Sequence, residues 1–325
     1  MSLCILAQLL NQGKHTPPPL LNLDKVQSIS YDFGYARSEN KVLARSRPID
    51  RPITSSPQVN VQMDYLMSSF HNEKHLGMSV TPQGSNSKYS LISGFADETN
   101  RSNDKRNLYL ATTKEGTDLI GGATGDISGA LCFHDCQLTN YSASFSVGDI
   151  PKASVSFEGI NASYFASGED LNVEVLDRKT NNQADTINVD LPMTSLVSST
   201  DIFIPGDINI DFYNSDGSSL VGTGFEPVTN EKVQSFSLSF AINRAPISLS
   251  NYKITYDKLL TTPVVGSASL SFIDHGGQSG NLADIISANK EYKIITKILK
   301  QGTEKMVITL NSATVDKVSY GSSVA

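Results

Sequence analysis

A chain of 325 residues with 39% hydrophobic and 18% charged residues has enough apolar content for a core, and its length suggests about two domains. The net charge of −7, with no basic cluster, disfavours a nucleic-acid binder, which needs Lys and Arg to release counterions from phosphate. Ser, Thr, Asn and Gly are abundant and Trp is absent, a mixture suited to short strands and turns rather than long helices.

The N-terminal LCILAQLL is apolar but short, with no basic region before it and no small-residue cleavage site after it, so it does not read as a signal peptide. Residues 3–10 are a helix candidate. No segment reaches the ~20 apolar residues that span a bilayer, so the chain is expected to be soluble, to act without export and to have no membrane partner. HTPPPL at 15–20 blocks helix and ladder bonding and separates an N-terminal arm, residues 1–21, from a first domain at 22–165.

KVQSISYDFGYAR at 25–37 returns as KVQSFSLSFAINR at 232–244, a spacing of 232 − 25 = 207, with seven of thirteen positions identical. Such a match marks an internal duplication. Strand parity puts Ile29, Tyr31, Phe33 and Tyr35 on one face of the first copy, and Ser28, Ser30 and Asp32 on the other. In the second copy Phe236, Leu238, Phe240 and Ile242 oppose Ser235, Ser237, Ser239 and Ala241. Each such strand is expected to bury its apolar face. PITSSPQVNVQMDYL (52–66) parallels TTPVVGSASLSFIDH (261–275), with Pro57 set against Pro263; Asn60, Gln62 and Asp64 form one polar face, Ser267, Ser269 and Ser271 the other. YSASFSVGDIP (141–151) sets Tyr141, Ala143, Phe145 and Val147 against Ser142, Ser144 and Ser146. FHDCQLTNYS (133–142) matches LNSATVDKVS (310–319) in pattern at an offset of 310 − 133 = 177.

Between the halves, residues 166–200 read as a strand, a polar tip at DRKTNNQAD and a return strand. A second domain, 201–325, opens with DIFIPGDINIDFYNSDGSS, a strand and an NSDG hairpin turn. Helix is scarce; NLADIISANK (281–290) is the best candidate, with Leu282, Ile285 and Ile286 on one face.

Little here can do chemistry. Cys132, His134 and Cys136 alternate on a strand and should point one way, but cysteines four apart lie roughly 13 Å apart on a strand, too far for a zinc pair; buried thiols are the expectation, with no metal and no cofactor. His71 and His75 in HNEKH have helical metal spacing, yet Glu73 faces away from them, so a solvated loop is expected. GGATGDISG (121–129) lacks a closing GK[ST] and a following helix, and reads as a turn. No nucleophile or acid–base constellation is present, so no enzyme activity is expected. The serine-rich faces are the unusual feature: exposed sheet faces commonly carry Lys and Glu, which also guard against edge pairing, whereas these five strands carry Ser, Asn, Gln and Asp.

SFSVGDIPKASVSFEGIN (144–161), VQSFSLSFAINRAPISL (233–249) with the strand led by Pro263, and VQSISYDFGYAR with RPIDRPITSSP resemble the major tail tube proteins of long-tailed bacteriophages. The resemblance spans about residues 22–165 and 230–325, although the first copy has Arg37–Ser38–Glu39 where the second has Arg244–Ala245–Pro246. It implies a mainly β fold: two tandem antiparallel β-sandwich domains with a short helix, whose inner strands join those of neighbours into a barrel. Rings of three chains, pseudo-hexameric, would stack into a tube. Ser28, Ser30, Asp32, Asn60, Gln62, Asp64, Ser142, Ser144, Ser146, Ser235, Ser237, Ser239, Ser267, Ser269 and Ser271 would then face a lumen through which viral DNA passes without specific binding. The implied partners are further copies, a terminator, a baseplate or tip and a tape measure, with the protein in the virion tail after assembly in the host cytoplasm. A tail terminator or baseplate component would share the pattern. A carbohydrate-binding adhesin sandwich is the alternative of a different class; it would need an exposed aromatic platform, and the Tyr and Phe residues lie mostly on core parity.

Overall fold

The computed structural model describes residues 3–9, 21–41, 43, 46–53, 57–67, 69–81, 90–96, 105–113, 115, 127–146, 148–166, 172–177, 182–188, 208–214, 216, 233–250, 255, 257–272, 291–300 and 303–317. In chain order the strands are β1 (Leu3–Leu9), β2 (Leu21–Asn22), β3 (Val26–Gly34), β4 (Gln58–Leu66), β5 (Arg106–Thr113), β6 (Ile127–Ser146), β7 (Lys152–Gly159), β8 (Asn161–Ala166), β9 (Asn172–Asp177) and β10 (Asn182–Asn188). They continue as β11 (Ile208–Asn214), β12 (Val233–Ala241), β13 (Arg244–Ile247), β14 (Asp257–Leu260), β15 (Gly266–Phe272), β16 (Tyr292–Lys300) and β17 (Thr303–Ala313), with two short helices, α1 (His71–His75) and α2 (Ser93–Ala96). The fold is mainly β, and the pairings between these strands are antiparallel.

The architecture turns on β6. At 20 residues it is far longer than the usual strand of about 5–6 residues, and it serves two wings of one ten-stranded sheet. Its first part pairs with β5 and β8, giving the wing β2-β1-β5-β6-β8. Its second part pairs with β7 and β12, giving the wing β3-β4-β7-β6-β12-β15. Between them the register slips opposite Arg106 and Leu108, and Asp135 takes a left-handed φ of 53°. A bulge adds twist and re-aims a strand, and Asp tolerates this backbone region better than most residues. The Asp135 N–H donates to the Asn107 side chain at 3.1 Å, so the irregular backbone keeps a partner.

Alternation decides which side of the second wing is buried. Val59, Val61, Met63 and Tyr65 of β4, Ala153, Val155 and Phe157 of β7, and Phe236, Leu238 and Phe240 of β12 are all buried in one cluster. Leu76 and Met78, which follow α1, and Phe95 of α2 pack into the same cluster. Each fully buried side chain of this size contributes about 1.5–3 kcal/mol. α2 lies so close to the 77–79 backbone that a Cβ on Gly94 would meet the Gly77 carbonyl oxygen at 2.1 Å.

The two halves repeat one pairing pattern. Ser28 pairs with Asp64 and Ser235 with Ser271, and 235 − 28 = 271 − 64 = 207. Both pairs slip register at the same place, Val26/Ser28 and Val233/Ser235. The connecting hairpins agree too: bridges Arg37↔Ile53 and Asn40↔Asp50 correspond to Arg244↔Leu260 and Ile247↔Asp257 at the same spacing of 207. In the other wing β1-β5-β6 corresponds to β11-β16-β17. Leu108↔Phe133 becomes Ile294↔Leu310 and, across a bulge in each, Arg106↔Cys136 becomes Tyr292↔Ala313; 310 − 133 and 313 − 136 are both 177. The second hairpin strand therefore aligns at 207, one residue away from setting Pro57 against Pro263, since 263 − 57 = 206.

Other expectations are corrected. Residues 3–10 are expected as helix, but 3–9 form β1, which pairs along its length with β5 and at Leu6 and Ala7 with β2; a short apolar run suits a strand as well as a helix. HNEKH, expected as a solvated loop, is α1, and its Glu73 is fully buried. β11 pairs with the distant β16 and, within the described residues, with no hairpin strand after NSDG. Within 166–200, β9 pairs antiparallel with β10, and Asn182–Asp185 of the expected polar tip lie in β10. The helix candidate 281–290 and most of GGATGDISG lie outside the described residues.

Candidate functional site: a serine face and its edges

The register brings every residue named from parity onto one face of the second wing. Reading across the sheet, Ser28 stands opposite Asp64, Asp64 opposite Ser154, Ser154 opposite Ser142, Ser142 opposite Ser239 and Ser239 opposite Ser267. The row below runs Ser30, Gln62, Ser156, Asn140 and Ala241. Asp32 and Asn60 lead into Glu158 on the next row. At the opposite end Ser144, Ser237 and Ser269 adjoin Lys152, and Ser146, Ser235 and Ser271 close the face. None of the fifteen named residues is buried. The contribution of β7 was missed from sequence: Lys152, Ser154, Ser156 and Glu158 continue the face, and their signal was the alternation in KASVSFEG.

The face is held by short polar contacts. Ser28 Oγ donates to Asp64 Oδ2 at 2.7 Å, and Asn60 Nδ2 donates to Asp32 Oδ1 at 2.9 Å. The Ser239 and Ser267 hydroxyls share a hydrogen bond of 2.9 Å. The positive charge on the face, Lys152, reaches Asp149 at 3.3 Å; the backbone N–H of Ile150, and then Lys152, hold that exposed carboxyl below its usual range. Glu158 is paired with Lys258 at 2.7 Å. With Asp32 and Asp64 added, the wall is small, hydroxyl-rich and neutral to acidic.

Beneath the face lies an unexpected polar group. Glu73 on α1 accepts hydrogen bonds at Oε1 from Tyr65 Oη at 2.8 Å and Tyr141 Oη at 3.1 Å, while its Oε2 has no partner among the described residues. Burial raises its carboxyl to about 7, against the lowering pull of its backbone and tyrosine hydrogen bonds. Burial likewise pushes both tyrosines well above their ordinary range. A carboxyl tying a helix to β4 and β6 from below braces the sheet, and it is fully buried.

Cys132, His134 and Cys136 are buried but do not converge. Asp135 breaks the alternation, so Cys136 joins the main apolar cluster, while Cys132 Sγ lies 3.8 Å from His134 Nδ1. The other ring nitrogen of His134 hydrogen-bonds Ser163 Oγ at 2.7 Å. No group of three metal-ligating side chains occurs among the described residues.

Where the halves meet, β12 pairs with β6 over seven residue pairs from Ser235↔Ser146 to Ala241↔Asn140. Tyr141 stacks on Phe240 at 5.1 Å and Phe145 on Phe236 at 5.9 Å. The β13–β14 hairpin reaches over the first half: Asp257 pairs with Lys105 at 2.9 Å and Lys258 with Glu158. Arg244 donates to the Leu138 carbonyl and sits 6.0 Å from the Phe95 ring centre. A cavity of about 180 Å³ at this junction, lined by Gln137, Thr139, Glu158, Asn243, Arg244 and Lys258, is smaller than the roughly 300–1,000 Å³ of small-molecule sites.

No protein-family model matches the sequence, and no curated protein does. Among solved structures, the tail tube of SPP1, determined by solid-state NMR and cryo-EM, is similar over 51% of this chain and 77% of its own, at 9% identity and a TM-score of 0.29. The tube-terminating cap of the anti-feeding prophage is similar over 50% of this chain and 87% of its own, at 11% identity and a TM-score of 0.29. A chain of that prophage's baseplate is similar over 52% and 95%, at 4% identity and a TM-score of 0.27. Overlaps this loose carry no argument about what this chain does.

Proposed function

We propose that this chain is a structural protein of a phage tail that polymerises into stacked rings of three chains, forming a hollow tube through which viral DNA passes. The observation that carries this reading is the serine face. Strands from both halves build one sheet whose polar side is uninterrupted from β3 to β15. A wall of small hydroxyls with scattered carboxylates keeps a polyanion hydrated, whereas cationic contacts would hold it by counterion release. In this reading residues 22–165 and 201–325 are two tail-tube-like repeats, each giving strands to the barrel wall, and the serines of β3, β6, β12 and β15 line the lumen with Asn60, Gln62, Asp32 and Asp64.

The geometry is compatible. Six strands per chain give 3 × 6 = 18 in a ring. At about 4.8 Å spacing and about 45° tilt, that ring has a backbone diameter of about 40 Å, leaving about 30 Å between side chains for a duplex about 20 Å wide. Eight strands per chain would widen the backbone ring to about 50 Å.

Negative-stain electron microscopy of the purified chain tests the reading. Hollow tubes, or rings of three chains with six similar lobes, are expected. Single closed rings that never stack would indicate a terminator, and a monodisperse monomer at high concentration would refute the assembly.

A further inference from the structure

In HNEKH the spacing of His71 and His75 suits a metal while Glu73 faces away, and the fold separates those two features. Glu73 turns inward to Tyr65 and Tyr141, whereas both histidines stay partly exposed. They are the first and last residues of α1, and an i, i+4 pair lies on one face of a helix. Their rings are 4.1 Å apart between centres, with planes at 85°. Two imidazoles that share one cation through nitrogens at about 2.0–2.1 Å have ring centres about 3.2 Å from it, hence about 4.5–5.2 Å apart at ligand angles of about 90–110°. The observed spacing falls short of that range by about 0.4 Å, from 4.5 − 4.1, an opening that small side-chain rotations supply.

The surroundings hold both ends of the pair. Asp24, in the turn between β2 and β3, donates its N–H to Asn72 Oδ1 at 2.8 Å, and its carbonyl accepts from Asn72 Nδ2 at 2.8 Å. These bonds dock the turn on α1 and set Asp24 Oδ2 3.8 Å from His71 Nε2. A carboxylate in that place draws the imidazole proton to Nε2 and leaves the Nδ1 lone pair for a metal, as carboxylates behind ligating histidines commonly do. At the other end the His75 carbonyl accepts from Arg106 Nε at 3.1 Å, which ties α1 to β5.

We propose that His71 and His75 form a two-histidine site for a late first-row divalent cation, Cu²⁺, Ni²⁺ or Zn²⁺, at the surface of α1. No third ligating side chain joins them among the described residues, so the remaining positions fall to water. Imidazole suits these ions, and the general order of affinity puts Cu²⁺ ahead of Zn²⁺. Mg²⁺ and Ca²⁺ take oxygen ligands and should not bind. A bound ion clips the two ends of α1 together and braces the helix that carries Glu73 beneath the serine face. The site needs no second copy of the chain and is independent of the tube reading.

The test titrates the full chain, purified without a histidine tag and stripped with chelator, separately with CuCl₂, ZnCl₂ and MgCl₂ by calorimetry. One Cu²⁺ per chain is expected, with weaker Zn²⁺ and no Mg²⁺. D24N should weaken Cu²⁺ binding about tenfold, the lower end for a partner behind a ligand, and H71Q or H75Q should weaken it further. H15Q should leave it unchanged. Pulsed electron paramagnetic resonance of Cu²⁺-loaded wild type counts the ligands without any variant, and two imidazoles are expected. One imidazole or none, an affinity that survives H71Q and H75Q, or no binding of Cu²⁺ and Zn²⁺ overturns the site.

Discussion

Replacing Glu73 by Gln isolates a pH-dependent cost built into the core. The carboxyl would titrate near 4.5 in the unfolded chain and is raised to about 7 in the folded one. A raised acid favours the folded state only while it is protonated in both states. Its stabilising share is therefore complete below pH 4.5 and is withdrawn as pH rises towards 7. At about 1.4 kcal/mol per pH unit, the gap amounts to about 3 kcal/mol, of which about 2 kcal/mol is lost between pH 5 and pH 8. Urea unfolding of dispersed wild-type and E73Q chains across that interval, followed by circular dichroism, reads the difference. Gln leaves an amide where Oε2 has no partner, and this offset applies at every pH, so the change in the wild-type-minus-variant gap is the quantity that matters. The variant should gain about 2 kcal/mol on wild type between pH 5 and pH 8. Equal slopes for the two proteins would refute the assignment of a buried, largely undisplaced carboxyl at this site.

His75 acts in the opposite sense: burial lowers it to about 4, so its share is lost as pH falls from about 6.5 towards 4, and H75Q should flatten the acid limb of the stability curve measured by thermal unfolding. F236A removes a ring stacked on Phe145 at the junction of the halves and should cost about 3–5 kcal/mol in urea unfolding; a loss under 1 kcal/mol would mean that β12 is not packed against β6. A double-mutant cycle on Lys258 and Glu158, whose side chains are 12% and 29% exposed, should return a coupling of about 1 kcal/mol, above the few tenths typical of open surface pairs; no coupling would detach the hairpin from β7. S142R/S239R should leave assembly intact but make tubes retain DNA in filter binding, with each Arg that reaches a phosphate steepening the log–log salt dependence by about 0.9; unchanged DNA retention would count against a lumen position. Burial pushes the Cys136 thiol well above its ordinary value, so labelling by maleimide at this residue should require unfolding.

Much of the serine face was legible because side-chain parity in a strand has period two and needs no partner to be read. The polar residues of β3, β4, β6, β12 and β15 followed from alternation alone, and the repeat at 207 followed from letters. What alternation could not supply was neighbours. Tyr31, Phe33 and Tyr35 have the same parity as Leu238, Phe240 and Ile242, and were expected to be equally buried. Burial on an edge strand depends on what lies alongside, and among the described residues β3 has no strand on its outer side. The Leu3–Leu9 run reads equally well as a helix or a strand, and only its pairing with β5 decides.

Within HNEKH no partner for Glu73 is in reach along the sequence. Its partners, Tyr65 and Tyr141, come from strands 8 and 68 residues away, contacts that only the folded chain can bring together. The sequence by itself determined the duplication, the strand-rich class and the face on which the hydroxyls lie, because all three are properties of local spacing. The tertiary structure decided that these faces join into one wall across both halves, that a carboxyl is sealed behind it, and that matching apolar faces of β3 and β12 differ in exposure, because strand order and register depend on pairings between residues far apart in the chain.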